Sequence, residues 1–483
     1  MKRLVVVLVI VGFASFLTAQ DEEEDPRIKR AIKRAVAWLK SQQKADGHWE
    51  YNTDRPFKLD IVMYEGCTAL ALFALLKGGV DPDDVCIKKG FAYLEKHPPK
   101  YTYSVACYVL ALDALYEARF KKREKKKLEK KGRKSMTAVI DETYNPKKDV
   151  KKWAPKDLEK LKELIRWLVE HRTQRVWRYP PNGEDMSNTQ YAVLALAVAL
   201  RRGIPVPKEV FVKIAEYCIE AQEKDGPEVP WFPVPLADKP IKVLKKLERK
   251  IEREIAKFVR AARRSKQKVT KEDIKQLRTS VIRESADKIF RGEKKKMFAR
   301  GWCYMFTEKN LQQSEWRLMI TGAMTTSGIA ALCVCKRALE GTPEWRCLKG
   351  KVEQSIRDGA AWIAHHFTVT ANPVGKLYPG GKNGKKPSRP TIHHFYFLYG
   401  LERSGILGLI PKFGKHDWFK EGAEYLLGCQ NPDGHWDAGL YGTSGPVPDT
   451  CWAILFLKKA TIPIVRVPCD VATGLAEWFK NRK

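Results

Sequence analysis

The chain has 483 residues, 44% hydrophobic and 30% charged, with a formal charge of +32. That balance is too apolar for a disordered polyelectrolyte, and the length suits one large domain or two to three ordinary ones. The eleven cysteines are an odd number, so at least one thiol is expected to be free or intermolecular; most lie inside apolar helical patterns and read as small buried hydrophobes.

In chain order, the first element is MKRLVVVLVIVGFASFLTA, residues 1–19: two basic residues, an apolar run to about Leu17, and a small residue before acid. The run is shorter than the ~20 residues of a bilayer span, so a signal peptide is expected, with a periplasmic or extracellular protein, soluble or membrane-associated. From 27 to 477 two kinds of segment then alternate. Amphipathic ones run approximately 27–42, 85–96, 157–171, 208–222, 352–366 and 418–429. More apolar ones run approximately 64–77, 102–117, 187–201, 324–338, 391–404 and 449–460. Thr68, Thr189, Thr325 and Thr450 occupy one repeated place in the second kind. Helices with one wet face alternating with helices buried on most sides predict an all-α fold, an (α/α)6 toroid of six helical hairpins with a single core.

Two basic insertions interrupt this order. Residues 119–152 read as a basic linker, and 227–298 as a basic helical hairpin that splits the loop between Gln222 and Gly301-Trp302. In the second, Ile241, Leu244, Ile251, Ile255 and Val259 mark one amphipathic helix; Thr270 with Asp273 marks the capped start of another. Such charge runs are ordinarily solvated; partners they would suit are an anionic membrane surface or an envelope polyanion, with nucleic acid set aside for an exported chain.

The sequence between Trp38-Leu39 and Gln43-Lys-Ala-Asp-Gly47-His-Trp49 returns at Tyr425-Leu426 and Gln430-Asn-Pro-Asp-Gly434-His-Trp436. These residues match the QW repeat, so the chain resembles the terpenoid cyclase and protein prenyltransferase superfamily, with repeats of the prenyltransferase, squalene oxidase and squalene-hopene cyclase type. The loop reads as a staple: Gln bonds backbone at a neighbouring helix end, Trp shields the bonds, and Gly permits the turn. Both copies become neighbours when the ring closes.

The cyclase resemblance implies a DxDD acid motif; Asp449-Thr450 aligns with its end and makes Asp449 the candidate catalytic residue, but Pro448 stands where the proton donor belongs. The prenyltransferase resemblance implies zinc held by Asp449, Cys451 and His393, although that family carries Asp-x-Cys before its His. Against the metal stands a plainer reading, Asp449 as an N-cap and Cys451 as a buried thiol. Tyr191, Phe395, Tyr399 and Trp452 are candidate ligand-binding residues, because aromatic faces lining a central cavity can hold an isoprenoid or other apolar lipid. Glu402-Arg403 reads as a charge pair or a helix-end feature. Two further readings remain open: a non-catalytic envelope scaffold using its basic insertions, and a glycan-processing toroid enzyme drawing on Asp54, Asp60, Glu65 or Asp437.

Overall fold

The computed structural model describes residues 25–51, 63–132, 140, 144–180, 183–290, 295–305, 315–377, 393–439 and 445–464. The expected signal peptide, Asp54, Asp60 and Cys469 fall outside them. The longer helices are α1 (Pro26–Ser41), α2 (Tyr64–Lys77), α3 (Val85–Lys96), α4 (Thr102–Lys130), α5 (Pro155–Glu170), α6 (Met186–Arg202) and α7 (Lys208–Glu220). They continue with α8 (Ile241–Arg264), α9 (Lys271–Phe290), α10 (Gly322–Leu339), α11 (Pro343–His365), α12 (His394–Gly408), α13 (Trp418–Gly428) and α14 (Pro446–Leu457). A short antiparallel pair, β1 (Met319–Thr321) with β2 (Val374–Leu377), is the one sheet among the described residues. The chain is thus helix-rich, as the two periodicities predict. No helix among the described residues is long and apolar enough to cross a membrane.

The two helix types follow from their residue patterns. In α1, Asp25 accepts a hydrogen bond from the Arg27 amide at 2.8 Å and Pro26 opens the first turn, while Ile28, Ala31, Ile32, Ala35 and Leu39 are buried at helical spacing. By contrast, α2 is buried continuously from Gly66 to Leu76, α12 from His394 to Gly408, and α14 from Val447 to Leu457. Contacts between the apolar helices pass from α2 to α4, to α6, to α10, to α12, to α14, and from α14 back to α2. The amphipathic helices pack on this set: α3 on α2, α5 on α4, α7 and α11 on α10, and α13 on α12 and α14. Helix α1, first in sequence, packs on α14 and α13, the last two.

Two boundaries differ from the sequence reading. Helix α4 runs thirteen residues beyond 117, so the first part of the expected linker is helical; Lys, Glu and Arg are good helix formers, and nothing interrupts them before Gly132. Helix α11 begins at Pro343, nine residues before 352, because Thr342 caps it by accepting from the Trp345 amide at 3.4 Å. The second insertion does form a hairpin, α8 packing on α9. Its predicted capping box is present: the Asp273 amide donates to Thr270 Oγ1 at 3.1 Å, and the Thr270 amide to Asp273 Oδ2 at 2.7 Å. The two chain segments flanking the hairpin zip together, with Glu223 N donating to Gly301 O, Ala299 N to Pro227 O and Val229 N to Met297 O. Gln222 and Trp302 are thereby rejoined across the excursion.

Candidate functional site

Two arrangements hold the residues the sequence singles out, and the first is the repeated loop. Gln43 Nε2 donates to Gly47 O and Cys86 O, both at 2.9 Å; Gln430 Nε2 donates to Gly434 O at 2.8 Å and Ala31 O at 2.9 Å. Gln222, in the split loop, donates to Arg300 O and Ser355 O at 3.0 Å each. Each glutamine therefore ties its own loop to the next amphipathic helix. Its targets are carbonyls, three of them (Ala31, Cys86 and Ser355) inside helices, which use a second lone pair; the staple is not a cap on unpaired amides at a helix end. Trp49, Trp302 and Trp436 are fully buried, and their indole N–H groups donate to Leu39 O, Cys218 O and Leu426 O.

The repeated threonines complete these loops. Trp49 N donates to Thr68 Oγ1 at 3.0 Å, Trp302 N to Thr325 Oγ1 at 3.2 Å and Trp436 N to Thr450 Oγ1 at 3.0 Å. Thr189 departs from this pattern and donates to Asp185 O instead. Gly47 and Gly434 have φ of 104° and 106°, and a Cβ there would meet Lys89 O at 2.5 Å and the Arg34 carbonyl at 2.8 Å. Glycine is needed both for the turn and for the close approach. His48 and His435 each bond the aspartate two residues earlier, and His435 also stacks on Trp38 with ring centroids 4.7 Å apart. The first and last copies are neighbours, as expected, through Gln430, this stack, and Arg34 donating to Asn431 O and Pro432 O.

The second arrangement is a buried polar and aromatic cluster near the starts of the apolar helices. Tyr191 on α6 lies 3.9 Å from Tyr103 on α4 and 6.1 Å from Tyr396 on α12, ring centre to ring centre. Trp452 on α14 donates to Tyr191 Oη at 3.1 Å and meets the Tyr396 ring edge-on. Tyr396 Oη bonds Ser187 Oγ at 3.0 Å and accepts from Gln190 Nε2. Arg403, fully buried, donates from Nη2 to Gln190 Oε1 at 2.6 Å and lies over the rings of Tyr399 at 4.2 Å, Tyr191 at 5.3 Å and Tyr396 at 5.9 Å. Among the described residues its Nε and Nη1 have no hydrogen-bond partner, nor does the buried Tyr103 Oη. Burial raises the Tyr191, Tyr396 and Tyr399 phenols well above the usual tyrosine range.

Of the expected ligand-binding residues, Tyr191, Tyr399 and Trp452 belong to this cluster; Phe395 is buried beside His394, ring centroids 5.3 Å apart, one position off the face that carries Tyr396, Tyr399 and Arg403. Glu402 and Arg403 are not a pair. Glu402 accepts from Thr461 N at 2.9 Å and Thr461 Oγ1 at 2.6 Å, because successive helix residues point about 100° apart. Burial pushes the Glu402 carboxyl up to about 7. Asp185, which the sequence reading passed over, caps α6 by accepting from Asn188 N at 2.7 Å, and burial raises it to about 7 as well. The sequence does carry a signal for it, an Asp directly before a helical run.

The expected zinc ligands do not gather. Among the described residues no three His, Cys, Asp or Glu side chains stand where they could hold a metal ion. Asp449 is buried in the first turn of α14 and accepts from Ala438 N at 2.9 Å, so it ties the staple loop to that helix; the helix cap itself is Gly445. Cys451 is a fully buried thiol, raised by desolvation. His393 precedes α12 with φ 71°, and burial pushes its imidazole down to about 4. The ten described cysteines are free thiols. As for the glycan reading, Asp437 accepts from Gly439 N at 2.9 Å within its own turn.

Searches against known protein families and against curated proteins find no match to this chain.

Proposed function

We propose that the chain is an (α/α)6 toroid that binds, at the centre of its inner ring, a lipid whose isoprenoid-type or other apolar body lies on the tyrosine and tryptophan faces and whose acidic group meets Arg403. Support for the toroid is the cycle of contacts through α2, α4, α6, α10, α12 and α14, with α1 packed on the last hairpin. Support for the ligand rests on one observation: a buried guanidinium beneath three aromatic faces, with Nε and Nη1 unpartnered among the described residues. A buried cation without a carboxylate is costly, and a ligand acid would offset that cost. Catalysis is outside this reading, since Pro448 holds the proton donor's place.

The test uses the full chain purified after export. Solvent extracts are analysed by mass spectrometry, and melting temperature is followed with a long-chain fatty acid, a polyprenyl phosphate and neutral squalene. Acidic lipids at a hundredfold excess over Kd are expected to stabilise by about 2.7 kcal/mol, and squalene less. An Arg403→Gln variant that still melts cooperatively is expected to lose that preference. No extracted lipid and no shift with any probe would overturn the reading.

The tight fit of Tyr103 on Tyr191 and the Gln190 bridge between Tyr396 and Arg403 favour a second reading, a solid-centred, non-catalytic scaffold. Those same empty extracts would support it.

A further inference from the structure

We propose that the outward face of α8 is a docking track for a linear acidic polysaccharide, a surface separate from the central cluster. Along α8 the buried residues are Ile241, Leu244, Leu247, Ile251, Ile255, Val259 and Ala262. On the opposite side stand Lys242, Lys246, Arg249, Arg253, Lys257, Arg260 and Arg264, all exposed. Their steps of three and four residues keep them within about 80° of helix circumference, and a rise of 1.5 Å per residue spreads them over about 33 Å. Glu248, Glu252 and Glu254 fall on the flanks.

Seven cations in one row repel one another, and like charges four apart weaken a helix. Intramolecular carboxylates do little to relieve this. Lys257 pairs with Glu254 at 2.9 Å, while Arg253 and Arg260 turn Nε back onto Arg249 O and Ala256 O of their own helix. Lys242, Lys246, Arg249, Arg253, Arg260 and Arg264 have no carboxylate partner among the described residues. A regular anionic polymer complements such a row and gains by releasing counterions.

The geometry selects the polymer. An amphipathic helix that docks on a membrane needs its apolar face, and that of α8 is already buried. Single-stranded nucleic acid is held by aromatic stacking, and Phe258, the one aromatic of α8, sits on the side away from the row. In an extended uronic-acid or sulfated glycan the charges recur at about the length of one sugar, close to one helical turn of about 5.4 Å. Arginine forks match carboxylate and sulfate groups with two parallel bonds.

The test measures binding of the full chain to fluorescent oligogalacturonate and heparin, with anionic phosphatidylglycerol vesicles and duplex DNA alongside, over a range of salt. Glycan binding that weakens steeply with salt is expected, together with a loss of about tenfold or more in the Arg249→Glu, Arg253→Glu, Arg260→Glu variant. A control with the same charge change elsewhere, Lys88→Glu, Lys96→Glu, Lys100→Glu, is expected to stay within about threefold, since effects at distant sites are independent. Should the reversed variant melt early, the corresponding Gln variant carries the same expectation. Equal loss in the row and control variants, no glycan binding, or tighter binding to vesicles or DNA than to either glycan would overturn the proposal.

Discussion

At Glu402 a single proton links a buried carboxyl to stability. Burial raises its folded pKa from an ordinary 4.5 to about 7, so the folded state holds the proton more tightly than the unfolded chain. The contribution is complete below pH 4.5 and is lost as pH rises toward and through about 7. The shift corresponds to about 3 kcal/mol. Glu402→Gln is therefore expected to melt progressively higher than the parent between pH 4.5 and 8, by calorimetry; parallel pH profiles for the two proteins would show that the carboxyl is not held protonated. Glycine supplies a second residue-scale prediction. Gly434→Ala meets both a φ of 106° and the Arg34 carbonyl, whereas Gly79→Ala has φ 97° and open space around it. The first is expected to cost clearly more than the ~1 kcal/mol of left-handed strain that limits the second, as read by denaturant midpoints.

At the scale of elements, the staple loop ties one amphipathic helix to the next. Gln430→Ala removes both side-chain bonds, to Ala31 O and Gly434 O, and leaves buried backbone acceptors underused; a loss of about 1–3 kcal/mol is expected. Arg34→Ala, whose guanidinium reaches Asn431 O and Pro432 O from an exposed position, should cost under about 1 kcal/mol. Similar losses for both variants would mean that the glutamine is not the principal tie. The repeat itself was legible in the sequence, including the shared threonine position and the split copy at Gln222 and Trp302. The threonine's partner was not, because the Trp amide it receives lies 14 to 23 residues away, across a loop whose path is set by packing.

For the whole molecule, α1 and the α8–α9 hairpin are expected to behave oppositely. Helix α1 packs on α14, α13 and α2, with Arg27 bonded to Glu424, 397 residues away in sequence, and its removal exposes the apolar sides of α14 and α2. A chain beginning after Ser41 should lose its cooperative transition or aggregate, judged by calorimetry and size exclusion. Replacing 241–290 with a short Gly-Ser linker should leave the transition cooperative and within a few degrees of the parent, because the flanking segments already pair through Pro227, Val229, Met297 and Ala299. Collapse of that variant would place the hairpin within the core.

The sequence by itself determined that the chain is helical, which helices keep a wet face, where the hairpin insertion interrupts them, and that the staple recurs. Those properties are local: apolar spacing, caps and loop glycines act over a few residues. Only the tertiary structure decided that Tyr396 and not Phe395 faces the buried aromatic cluster, that Glu402 and Arg403 turn to different partners, and that His393, Asp449 and Cys451 do not form a metal-holding group. The reason is physical. A helix buried on every side has no polar face to fix its phase, so its residue pattern does not say which side meets which neighbour. That phase is set by close packing against helices far away in sequence.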